Sequence, residues 1–176
     1  MCVCLEFMKP AKTLLIVYHS HTDGTRQMVH ALREGALSAN EDGALQVHLL
    51  HASEAGPEDV LQADGYVFAT PENLAAISGL MKDFFDRSYY GAFERINGRP
   101  YATLICAGSD GSNAARQIAR IATGWRLKAV AEPLIICTHA QTPEAIAATK
   151  HIPDAELAQC RALGEALASG LVMGIF

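Results

Sequence analysis

The stretch Thr13-Leu14-Leu15-Ile16-Val17-Tyr18-His19-Ser20-His21-Thr22-Asp23-Gly24-Thr25 decides how the rest of the chain is read. Its first half is a continuous apolar run with β-branched residues, the pattern of a strand buried on both faces. Its second half is rich in hydroxyls. Beyond it, Met28, Val29, Leu32, Ala36 and Leu37 recur at helical spacing. A strand ends, a polar loop turns and a helix begins. Such a place favours an anion. The first-turn N–H groups lack partners, the helix dipole adds partial positive charge, and Ser20, Thr22 and Thr25 add short donors. Gly24 lets the backbone come close or take a positive φ. The loop holds neither Lys nor Arg. A phosphate there is held by neutral donors, which suits a monoester kept dry better than a nucleoside triphosphate with Mg²⁺. The patterns G-x-x-x-x-G-K-[ST] and G-x-G-x-x-G are both absent.

Outward from this stretch, apolar strands alternate with helical patterns. Leu45, Val47 and Leu49 alternate with Gln46 and His48, which predicts a strand over 44–51 near a sheet edge. Pro57 opens a short helix. Buried strands are predicted over 65–70 and 101–107, and a last one over 127–137, bent by Pro133. Pro71 to Ala76 reads as a turn, and Ser78 caps a helix to about Arg87. Gly108-Ser109-Asp110-Gly111-Ser112 is a polar turn before a helix over 113–123. A connection with one short helix leads to Asp154, which caps a final helix striped by Leu157, Cys160, Leu163, Leu167 and Leu171. This alternation predicts an α/β fold with a parallel sheet covered on both faces.

Half of the 176 residues are apolar and the net charge is −5, so one globular domain is expected, over 13–176 after an N-terminal extension at 1–12. No basic patch with interleaved aromatics argues for nucleic acid. No apolar run approaches the roughly 20 residues of a membrane span, so no membrane insertion is expected. The first residues do not read as a signal peptide. The five cysteines are odd in number and mostly scattered, which argues against a disulfide framework and for the cytoplasm. Cys106 and Cys137 sit in apolar runs and read as packing. The seven histidines show no metal-binding spacing and read as loop or surface residues.

The loop from Tyr18 to Met28 resembles the phosphate loop of flavodoxin-like proteins, roughly S-x-T-G-x-T, with Ser20, Thr22 and Thr25 in register and Asp23 where that family has Gly. A carboxylate about 8 Å from a phosphate costs about 2 kcal/mol at an effective dielectric near 20. Each hydrogen bond to a charged group returns about 1.5–3 kcal/mol, so the loop wins if Asp23 points outward. The segment from Ala69 to Arg87 resembles the S/T-P-x-x-x-x-x-x-S-G-x-x-K-x-F-x-D-R pattern of NAD(P)H-dependent FMN reductases and quinone reductases of the flavodoxin-like superfamily. It does so at Thr70, Pro71, Ser78, Gly79, Lys82, Phe84 or Phe85, Asp86 and Arg87. With the last helix, the resemblance covers nearly the whole chain apart from the extension.

The resemblance implies a single doubly wound sheet of five parallel strands in the order 2-1-3-4-5, with helices on both faces. The loops after strands 1, 3 and 4 then meet at the switch point. It implies FMN as cofactor, held by Ser20, His21, Thr22, Asp23, Gly24 and Thr25 in the first loop. Thr70, Pro71, Glu72, Asn73, Leu74, Ala75 and Ile77 hold it in the second, and Gly108, Ser109, Asp110 and Gly111 in the third. Chemistry would lie on the flavin, with no catalytic side chain. NAD(P)H would donate hydride, and a quinone or another small acceptor would take it. Glu72 and Asp110 are expected to lower the flavin's potential. Such reductases are often homodimers or homotetramers, and Phe84-Phe85 with Tyr89 to Phe93 is either an interface or core. Two alternatives stay open: an electron carrier of flavodoxin type without its own substrate, and a flavodoxin-shaped binding module without flavin. Leu74 and Ala75, where carriers have aromatic plates, favour the reductase.

Overall fold

A computed structural model describes residues 11–40 and 43–176. Most of the extension, with Cys2 and Cys4, lies outside the described residues, as do Glu41 and Asp42. The elements are β1 (Lys12–Tyr18), α1 (Gly24–Ser38), β2 (Leu45–His51), α2 (Pro57–Gln62), β3 (Gly65–Asn73), β4 (Ala76–Ile77), α3 (Gly79–Ala92), β5 (Pro100–Ala107), α4 (Ser112–Gly124), β6 (Lys128–Ala129), β7 (Leu134–Cys137), α5 (Pro143–Ala147) and α6 (Asp154–Met173).

The sheet runs β2-β1-β3-β5-β6, and these neighbours are parallel. β6 and β7 both pair with β5, at Pro100–Tyr101 and at Leu104–Ala107 respectively. They are one strand interrupted at 130–133, where Pro133 has no N–H for the ladder. With β6 and β7 counted together and the two-residue β4 set aside, the order is 2-1-3-4-5. β2 lies at the edge, as its alternation predicts. The central strands are buried on both faces because helices cover both. Leu15, Val17, Tyr66, Phe68 and Ile105 meet α2, α3 and α4 on one side. Leu14, Ile16, Val67, Ala69 and Leu104 meet α1 and α6 on the other.

Three sequence readings need correction. The expected turn from Pro71 to Ala76 is a β-hairpin: β3 continues to Asn73 and β4 returns antiparallel, pairing Asn73 with Ala76. The third helix continues past Arg87 to Ala92. Phe84 and Phe85 are core, at 0 % and 2 % exposure, packed around the fully buried Trp125, which removes them from any interface. Finally, Asp154 does not cap the last helix. Pro153 holds the cap position, and the Asp154 carboxylate accepts from Arg161 Nη2 at 2.7 Å.

α1 and α6 touch backbone to backbone. A Cβ on Gly35 would lie 2.0 Å from the Arg161 carbonyl oxygen, and one on Gly164 would lie 2.0 Å from that of Leu32. The two glycines let the helices approach so closely that no side chain fits between them. This contact seats α1, and with it the loop at its N-terminus.

Candidate functional site

Parallel strands bring the loops after β1, β3 and β5 to one end of the sheet. There they enclose a cleft of about 510 Å³. Ser20, His21, Thr22, Gly24 and Thr25 line it from the first loop, Pro71, Glu72, Asn73, Leu74 and Ala75 from the second, and Gly108 and Ser109 from the third. Cys106 and Ala107 at the end of β5 also line it. Thr138, Ala140, Ile146 and Lys150 come from the connection after β7.

The first loop is built to receive an anion. Ser20 Oγ accepts from the Arg26 amide at 3.2 Å, so its own proton is available to donate. The Gln27 amide reaches the Asp23 carbonyl at 3.1 Å, closing the first turn of α1 and leaving the Gly24 and Thr25 amides at the cleft. Thr25 is 1 % exposed, and its Oγ1 has no partner among the described residues. A buried hydroxyl left unpaired costs about 1–3 kcal/mol, which a bound phosphate oxygen at this loop would offset. The residues present therefore fit the phosphate of FMN.

Asp23 is in left-handed conformation at φ 71°, where a glycine is relaxed and an aspartate is tolerated. That accounts for the glycine of the resembling motif. The Asp23 carboxylate turns out of the cleft to Arg26 and Gln27, and the Arg26 guanidinium holds it below the usual carboxylate range. Gly24 serves close approach rather than a positive φ: a Cβ there would lie 2.5 Å from Cys106 Sγ. Burial pushes the Cys106 thiol up to about 11, so it stays protonated and inert. Next to the loop, burial and then His51 and His21 hold His19 below the ordinary histidine range.

The second loop is the hairpin tip. Leu74 and Ala75 have φ of 50° and 59°, the two left-handed residues of a type I′ turn. Three fasteners hold it. The Ser78 amide donates to Thr70 Oγ1 at 3.1 Å, the Ile77 amide donates to Gln117 Oε1 at 3.1 Å, and Asn113 Nδ2 donates to the Ala75 carbonyl. The hairpin leaves Leu74 fully exposed at the cleft mouth. Glu72 Oε2 accepts from the Gly111 amide at 3.0 Å, joining the second loop to the third.

Five expected residues stand behind the cleft instead of lining it. Asp23 faces the opposite side of α1. Thr70 and Ile77 are hairpin fasteners. Gly111, at φ 81°, turns the chain into α4. The Asp110 carboxylate accepts from the amide and hydroxyl of Ser112 at 3.3 and 2.7 Å, which leaves Glu72 as the acid at the cleft. Among the described residues, no three His, Cys, Asp or Glu side chains form a metal site, and no helix is long and apolar enough to cross a membrane.

The model of the NADPH-dependent FMN reductase family matches residues 52–141, from the end of β2 through the third loop and β7. The chain belongs to this family. The chain is 35 % identical over 94 residues to a protein of Aquifex aeolicus (strain VF5) named flavodoxin, covering 53 % of this chain and 47 % of that one. It is 30 % identical to an NAD(P)H dehydrogenase (quinone) of Acidithiobacillus ferrooxidans (strain ATCC 53993 / BNL-5-31), covering 43 % of this chain and 46 % of the other. The matches thus span about half the length of these curated relatives. In fold it is similar to a flavodoxin from the domain Archaea, with a TM-score of 0.71 and 17 % identity over 90 % of this chain and 98 % of that one.

Proposed function

We propose that this member of the FMN reductase family is an FMN-dependent NAD(P)H oxidoreductase that passes hydride or electrons to a quinone or similar small acceptor. The observation that carries the reading is the pairing of a buried, unpartnered Thr25 hydroxyl at the cleft floor with an open, non-aromatic hairpin at its mouth. Ser20, Thr22 and Thr25, with the first-turn amides of α1, would hold the phosphate. The β3–β4 hairpin and Gly108-Ser109 would flank the ring. Hydride transfer from NAD(P)H to the acceptor is the chemistry that FMN supplies when bound. A donor and an acceptor must reach the same ring face in turn, and Leu74 and Ala75 leave room that an aromatic plate would fill. Glu72, held by the Gly111 amide, keeps a carboxylate at the cleft and disfavours added negative charge there.

The second reading is an electron carrier, favoured by the relative from Aquifex aeolicus that is named flavodoxin. Anaerobic visible spectroscopy separates the two. FMN is added to the purified protein and then NADPH, with no partner reductase. Bleaching of the bound flavin is expected. Bound flavin that keeps its colour would point to the carrier, and absence of flavin binding would sink both readings. A cytoplasmic location is proposed on the odd number and scattered spacing of the five cysteines in the sequence. A homodimer or homotetramer is proposed on the family likeness, with the exposed Tyr90 on α3 as the apolar contact, and sedimentation equilibrium tests it.

A further inference from the structure

The first loop has no cation of its own, yet one is supplied from more than a hundred residues along the chain. Among the described residues that line the cleft, Lys150 is the one lysine or arginine. We infer that Lys150 supplies the positive charge that the neutral phosphate loop lacks, and that it makes the site prefer a phosphorylated flavin over an unphosphorylated one. This rests on the flavin reading above.

Lys150 is fixed to the loop by its backbone. Its amide donates to the Thr22 carbonyl at 2.8 Å, and its carbonyl accepts from Gln27 Nε2 at 2.7 Å. The next anchor is the Ile152 amide, which donates to Gln27 Oε1 at 3.1 Å. One glutamine side chain on the first turn of α1 therefore clamps residues 150–152 from both sides. The Lys150 Cβ lies 3.4 Å from where a Cβ on Gly24 would be.

The ammonium is positioned in advance. Nζ donates to the carbonyls of Ala145, Ile146 and Ala148 at 2.7, 2.8 and 2.6 Å, at the end of α5. Carbonyl oxygens satisfy its hydrogen bonds without cancelling its unit charge. Among the described residues, no carboxylate pairs with it. The Asp23 carboxylate is taken by Arg26 and Gln27, and that of Glu72 accepts from the Gly111 amide. A charge already held in place acts on an arriving phosphate without further ordering of the side chain. A phosphate monoester carries about −1.5 to −2 at pH 7, while riboflavin carries no charge there, so the benefit falls on FMN alone.

The test measures the dissociation constants of FMN and riboflavin by fluorescence quenching, for the wild type, Lys150→Met and Lys150→Arg. Lys150→Met should weaken FMN by roughly tenfold at low salt and leave riboflavin within about twofold, while Lys150→Arg keeps the preference. In the wild type, the FMN-to-riboflavin affinity ratio should fall as salt is raised, an outcome that needs no variant. Equal loss of both ligands in Lys150→Met would mean that the lysine only shapes the segment, and would overturn the inference. So would no change in either ligand, or a salt-independent ratio. A wild type that binds riboflavin and FMN alike sinks the inference alone, whereas one that binds neither sinks the flavin reading.

Discussion

Thr25 is a residue whose stability and binding effects point in opposite directions. Its hydroxyl is buried and unpartnered, so it costs folding free energy that only a ligand can return. Thr25→Val keeps the shape and removes the hydroxyl. Chemical denaturation should find the variant as stable as the wild type or up to about 1 kcal/mol more so, while titration finds FMN about 10- to 100-fold weaker. A residue present only for packing would show the reverse. Tyr66 makes a second prediction at this scale. It is fully buried beneath α2, with its hydroxyl donating to the Val60 carbonyl at 2.7 Å. Burial pushes its phenol up to about 12 from an ordinary 10.0. The folded state then keeps a proton that the unfolded chain releases, so the contribution is complete below pH 10 and is lost as pH rises towards 12. The loss is about 2–3 kcal/mol. Denaturant midpoints of Tyr66→Phe should therefore fall less steeply over that window than those of the wild type. Cys106 and Cys160 titrate in both proteins and cancel in the difference.

Between elements, the closest approach is that of α1 and α6. Gly35→Ala or Gly164→Ala puts a methyl carbon where a carbonyl oxygen of the other helix already lies, so the helices must separate. Each should cost about 2 kcal/mol or more despite the better helix propensity of alanine, as read from thermal or urea unfolding. Because α1 carries the phosphate loop, FMN affinity should fall with stability in both. The hairpin tip offers the opposite case. Leu74 and Ala75 occupy positions that Asn-Gly fills without strain, and both are exposed. Leu74→Asn with Ala75→Gly should stabilise the protein by about 1–2 kcal/mol, measured by urea unfolding.

Across the whole molecule, what was legible in the sequence had a periodicity or a local motif to carry it. The apolar runs at Leu14–Val17 and Tyr66–Ala69 announced buried strands, and the helical spacing after Thr25 announced α1. The hydroxyls of Ser20, Thr22 and Thr25 announced the anion loop. The hairpin was hidden because Leu74 and Ala75 lack the glycine and asparagine that normally mark a type I′ turn, and tertiary fasteners from α4 hold the strained conformation instead. Asp23 was ambiguous for a related reason. Its charge argued against a phosphate, and only the backbone, by taking φ to 71°, shows which way the side chain leaves. Lys150 had no local signal at all. It reaches the cleft because the chain after β7 doubles back onto Gln27, a contact between residues 123 apart.

That returning contact sets an order of events in the life of the protein. The anion loop leaves the ribosome more than a hundred residues ahead of the segment that clamps it. A nascent chain that ends before residue 150 has the loop without its clamp, and without the helix against which α1 is seated. Until then, the glycine-lined stripe of α1 and the inner face of β1 stay uncovered, as sticky surfaces awaiting a late partner. The anion loop is thus fully seated only after residue 150 and α6 have been made. A shortened chain that stops ahead of α6 should depend on chaperones and remain colourless, however intact its first loop.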